Sequence, residues 1–184
     1  MIVGLAYAVT AVVYAKETCN RTADAGSPLN EEYVPLTDTA AEWGATPAAG
    51  YKVLKRMISS VALELQMKPS ELVVASVIFE RAIKHSPTCL SRMTARPLLL
   101  GALCLASQVC SDEDLTAGMA FDVVAPYFAR MEFVHFKAIV AKTLVLMDWN
   151  IPNEPSIYDA YAQALTHSAN ETTGKFMSPP ELFS

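Results

Sequence analysis

The sequence predicts an all-α protein: a five-helix bundle with one extra helix before it and one after it. Three observations lead there. Apolar residues recur at three- and four-residue spacings along most of the chain, with no sustained period-two alternation. Prolines fall where helical segments open or stop, as at Pro69, Pro87, Pro97 and Pro155. The chain has 184 residues and is 52% hydrophobic, enough for one domain with a full core.

Residues 1–50 read as an N-terminal helix followed by an extended wrap. Met1 to Ala15 is almost wholly apolar but shorter than the ~20 residues a membrane span needs. Val13-Tyr14-Ala15 has the form of a signal cleavage site, and Asn20 and Asn170 sit in sequons. No basic segment precedes the apolar run, so we expect a helix buried on most of its faces rather than a signal peptide. Position 2 is Ile, which carries no myristoylation signal. From about Asn20 to Gly50, prolines, glycines and small polar residues predict a connection, with Tyr33 and Trp43 as its anchors to the core.

Residues 51–151 hold the five-helix unit. In the first helix, Val53, Leu54, Met57, Ile58, Val61 and Leu65 share one face. Pro69 and Glu71 open the second, which runs to about His85 and stops at Ser86-Pro87. The third runs from Thr94 to about Val109, with Pro97 in its first turn. Its leucines at 98, 99, 100, 103 and 105 point in all directions, so it is expected at the centre, with Leu103 as a core residue. Asp112, Glu113 and Asp114 begin an exposed segment, read either as a solvated turn or as a contact for a basic partner element. A shorter fourth helix is interrupted at Pro126. The fifth carries Phe133, Phe136, Ile139, Val140, Thr143, Leu144 and Met147 as its expected inner stripe and ends at Asp148-Trp149-Asn150. Residues 152–184 read as a helix opened by Pro155 and a polar tail from Ser168.

Charge and motifs narrow the function. The net charge is −5, which argues against a nucleic-acid footprint. Cys19, Cys89, Cys104 and Cys110 form no CxxC pair, so neither zinc nor a disulfide framework is expected, and the pattern suits a reducing intracellular compartment. His85, His135 and His167 lie on different helices and predict no metal site. His135 with Glu132 could mimic a catalytic pair, but a helix neighbour at i,i+3 is the ordinary reading. No GxSxG, HExxH or GxxxxGK[ST] is present. We expect a non-enzyme with no catalytic residues, cofactor, metal or small-molecule substrate. Thr46-Pro47 and Ser178-Pro179 have the minimal form of proline-directed phosphorylation sites.

The order of these segments resembles a cyclin box, and more narrowly the cyclin Y family, relatives of the P/U-type cyclins. VIFERAIKH is similar to that family's VYLERLL segment, GALCLASQV to its GAILLASKV, and MDWNIPNEPSIYDAY to its LQFNINVPSSVYAKY. The apolar leader with YVPLT, Tyr33 to Thr37, looks like its extra N-terminal helix and HPLS loop. The resemblance covers about residues 3 to 165.

It implies a regulatory protein that binds and activates a cyclin-dependent kinase of the PCTAIRE/PFTAIRE type. The kinase would supply ATP binding and catalysis, and the cyclin a rigid face that holds the kinase αC helix inward. The contact set implied here is Gln108, Val109, Cys110, Val140, Ala141 and Leu144. The family carries Lys and Glu where this chain has Gln108 and Val140, so contact would rest on packing, with Gln108 as a hydrogen-bonding or plain helix-end residue. Glu80 and Arg81 would anchor the second helix, or form a solvated pair. Trp149 would be structural. The register of the family's substrate-docking Trp falls on Met57, so that site is not expected. A cyclin-fold scaffold without kinase activation, a DNA-gripping cyclin-fold factor and a secreted helical protein are the competing classes; acidity and a single box weigh against the second.

Overall fold

The computed structural model describes residues 1–17, 46–86, 90–110, 116–128, 131–151 and 155–171. Its elements are helices: α1 (Ile2–Glu17), α2 (Pro47–Glu64), α3 (Pro69–His85), α4 (Arg92–Cys110), α5 (Ala117–Val124), a 3-10 turn (Ala125–Tyr127), α6 (Phe133–Leu146) and α7 (Pro155–Glu171). The all-α prediction holds across these residues.

α4 is the centre. Every residue from Thr94 to Ser107 is buried, leucines and alanines on all faces alike. Its main neighbours are α3, α6, α1 and α2, while α5 packs on α2 and α6. The helix begins two residues earlier than the sequence suggested, because Ser91 caps it reciprocally. Ser91 Oγ accepts from the Met93 amide at 3.2 Å, and Thr94 Oγ1 accepts from the Ser91 amide at 2.9 Å. Pro97 therefore sits inside the helix rather than in its first turn. α4 is long and apolar enough to cross a membrane, but most of it is enclosed by the other helices.

α1 packs along α2 and α7 and also touches α4 and α3. Leu5 through Val9, Val12 and Val13 are all buried, so the N-terminal helix is part of the core, buried on most of its faces as expected. Its contact with α7 is backbone-close. A Cβ placed on Gly4 would run into the Leu165 carbonyl, so only glycine fits there. Buried hydroxyls are satisfied locally: Thr10 donates to the Ala6 carbonyl at 2.7 Å, and Thr143 to the Ile139 carbonyl at 2.9 Å.

Boundaries differ in instructive ways. Residues 47–50 belong to α2, whose Thr46 cap accepts from the Ala49 amide with Pro47 at the first helical position. The expected connection thus ends at Thr46. α7 continues to Glu171, and Ser168, expected to open a polar tail, is buried at 2% exposure. α2 and α6 both end in Schellman motifs. The Met67 amide reaches the Ala62 carbonyl and the Gln66 amide the Leu63 carbonyl. Likewise Trp149 reaches Leu144, and Asp148 reaches Val145. Gln66 and Asp148 occupy the left-handed position, with φ of 50° and 54°, where glycine is usual.

Tyr33, Trp43, Cys19, Cys89, Asp112, Glu113, Asp114, Ser178 and Asn20 lie outside the described residues.

Candidate functional site

The candidate site is the exit of α4 together with the outer side of α6. These two helices cross closely at Gly101, where an added Cβ would collide with Thr143 Oγ1 and lie 3.5 Å from Ile139 Cγ2. The absence of a side chain lets the two backbones approach and fixes their relative height. Gln108 and Val109 lie about 12 Å further along α4 at 1.5 Å per residue. Gln108 is half-buried and Val109 exposed at 47%.

On α6 the inner stripe is Phe136, Ile139, Thr143 and Leu146, continued by buried Met147. This corrects the expected stripe. Phe133 is 39% exposed, and Val140 and Leu144 sit half-buried on the flank. Ala141 is exposed. Phe136, Ile139, Thr143 and Met147 lie inward as expected, but the stripe was drawn too wide at its edges and missed Leu146, because apolar residues continue onto the face that carries Lys137 and Lys142. The outward face therefore also carries Val134 and Val145, at 58% and 51% exposure, which the sequence reading did not single out. Two solvent-facing valines on a core helix are the signal that was available only after α6 was oriented.

Cys110 behaves differently from its neighbours. It is half-buried, with Sγ 4.0 Å from the Tyr158 hydroxyl of α7. Burial pushes the thiol above its usual range; the Tyr158 hydrogen bond offsets part of this, and the charge of Glu71 adds to it. Burial likewise pushes Tyr158 to about 12, aided by Cys110 and Glu71. Cys110 thus faces α7 within the chain; of the remaining set Val109 and Ala141 are exposed and Gln108 half-buried, while Val140 and Leu144 are half-buried and pack in part against the core.

Among the four residues expected to be structural, Leu103 is fully buried at the heart of α4. Glu80 and Arg81 do not pair with one another. Glu80, 4% exposed, binds Lys84 Nζ at 2.8 Å one turn away. Arg81 instead bonds Asn150, at the end of α6. Trp149 is 65% exposed, and its backbone amide closes the α6 cap. Arg96 is a buried residue that the sequence reading passed over. It is 1% exposed, with its guanidinium 5.7 Å from the Phe128 ring centroid, and ties the start of α4 to the segment after α5. Met57 is 1% exposed in α2.

His135 Nδ1 accepts the Glu132 amide at 3.4 Å, so this pair caps α6 rather than forming an acid–base couple. Among the described residues, no group of three His, Cys, Asp or Glu side chains could hold a metal. A shallow depression on α7 is lined by Ala162, Gln163, Thr166, His167 and Asn170. All five belong to a single helix, which cannot enclose a small molecule.

No family model, curated protein or solved structure matches this chain.

Proposed function

We propose that the chain is a regulatory cyclin that binds and activates a cyclin-dependent Ser/Thr kinase of the PCTAIRE/PFTAIRE type. The observation that carries this reading is the enclosure of α4: it is buried from Thr94 to Ser107 and then emerges at Gln108 and Val109. A helix wrapped in this way is a rigid strut, and its exit can hold a partner element in one position. The chain itself is read as a non-enzyme without a cofactor, acting inside the cell. At −5 net charge its partner is a protein, not nucleic acid.

In this reading Val109, Val140, Ala141 and Leu144 pack against the kinase, and Gln108 hydrogen-bonds to it. The kinase αC helix is held inward, so that the kinase's own Lys–Glu pair forms. The two charges usual in the family are absent together, at Gln108 and Val140, so no unpaired charge is left in the contact.

A second reading has its own support. The same two substitutions favour a cyclin-fold scaffold that binds without activating. Reconstitution with a purified PCTAIRE-type kinase separates the two. A complex with phosphotransfer above that of the kinase alone supports the cyclin; a complex without that gain supports the scaffold. Absence of a complex contradicts both.

A further inference from the structure

The outward face of α6 has a second regularity. Val134, Ala138, Ala141 and Val145 are spaced by four, three and four residues. That is the spacing of alternating d and a positions of a heptad, the pattern of a helix that packs on another helix. Val134, Ala141 and Val145 are exposed and Ala138 is half-buried, so the seam faces solvent while the opposite side of α6 faces the core.

The flanking positions carry one sign of charge. In this register Lys137 falls at g and Lys142 at e, one on each side of the seam. Residues 133–146 contain no Asp or Glu, although the whole chain is acidic. Among the described residues neither lysine makes a salt bridge; the Lys137 ammonium lies 4.8 Å from the Phe133 ring centroid. Residue size is graded as well. The two central seam residues are alanines and the two outer ones valines, which leaves room at the middle for bulky side chains from the other helix.

We infer that this seam docks an amphipathic helix of a partner protein, with a bulky apolar stripe flanked by carboxylates. A second copy of this chain does not fit. A parallel pair would set Lys137 against Lys142, and an antiparallel pair would set each lysine against its own counterpart; all these pairings repel. The inference rests on the chain being a binding module, but not on the partner being a kinase. The seam shares Ala141 with the kinase contact proposed above but extends to Val134 and Val145, which that contact does not use, so the two readings fail separately: one in phosphotransfer, the other in helix binding that depends on Val145.

The test uses the full chain and two synthetic helical peptides of about three heptads, both with a leucine seam. One carries Glu at the flanking positions and the other Lys. Fluorescence anisotropy is expected to show the Glu peptide binding about tenfold more tightly at low salt. Lys137→Glu with Lys142→Glu should reverse the preference, and Val145→Asp should abolish binding, with circular dichroism unchanged because these side chains are outside the core. Failure of both peptides to bind, equal binding of the two, or a preference that survives the double reversal would overturn the inference. So would self-association, or flotation with phosphatidylserine vesicles, that is lost in Val145→Asp, since these would give the seam to a second copy or to lipid.

Discussion

The Arg81 guanidinium of α3 donates to the Asn150 carbonyl at 2.7 Å and to its side-chain Oδ1 at 3.0 Å. One side chain thus ties the last turns of α3 to the exit of α6, 69 residues away in sequence. The recipient turn has Asp148 and Trp149 at positive φ, so it gains from an external restraint. Arg81→Ala should cost about 1–2 kcal/mol in urea denaturation, the lower part of the range for hydrogen bonds from a charged group because the pair is partly solvated. Asn150→Ala should cost less, since the carbonyl contact survives.

Gly101 sets the spacing between α4 and α6. Gly101→Ala should destabilise by about 1–3 kcal/mol through overpacking against Thr143. Thr143→Ala removes the colliding hydroxyl, so the double variant should lose less than the sum of the two single changes. Thermal melts of the four proteins of this cycle measure the coupling.

Gln66 supplies the left-handed residue that ends α2, and it is exposed. Gln66→Gly removes the Cβ strain without touching a contact in the core. It should raise stability by about 0.5–1 kcal/mol, read as a higher urea midpoint with an unchanged slope.

Much of the fold was legible because its signals are local. Pro69 with Glu71 marked the start of α3, and five leucines pointing all round α4 marked a central helix. What escaped was non-local or directionless. The partner of Arg81 is distant in sequence. Apolar residues of α6 continue beyond its packed side, so the pattern could not say that Phe133 stays partly exposed beside Phe121 while Leu146 is buried. Thr46 was read as loop because Pro47 and Gly50 resemble loop residues, although Pro47 is suited to the first turn of a capped helix. The candidate site was legible only in part, since Val134 and Val145 become notable only once the packed side of α6 is known.

Burial pushes the Cys104 thiol from 9.0 to about 12. The folded chain then holds a proton that the unfolded chain releases above pH 9. Its contribution is fully present below pH 9 and is lost as pH rises towards 12. Between pH 9 and pH 10 the unfolding free energy should fall by about 1 kcal/mol on this account. Cys104→Ala, though less stable overall, should lose that part of the slope. Guanidinium titrations at the two pH values, compared between the two proteins, give the difference.

The central claim is that the α4 exit and the α6 flank hold a kinase. Tagged chain and its Val140→Arg variant should be expressed in the native cell, captured, read by mass spectrometry and assayed for phosphotransfer. The account predicts a near-stoichiometric cyclin-dependent-type kinase, more active than the kinase alone, on the unaltered chain. It predicts loss of that kinase from the variant, with helix content preserved and melting lowered only modestly, because Val140 is half-buried on the flank of α6 and packs only in part against the core. A folded variant that keeps the kinase, or a captured partner of another class, would contradict it.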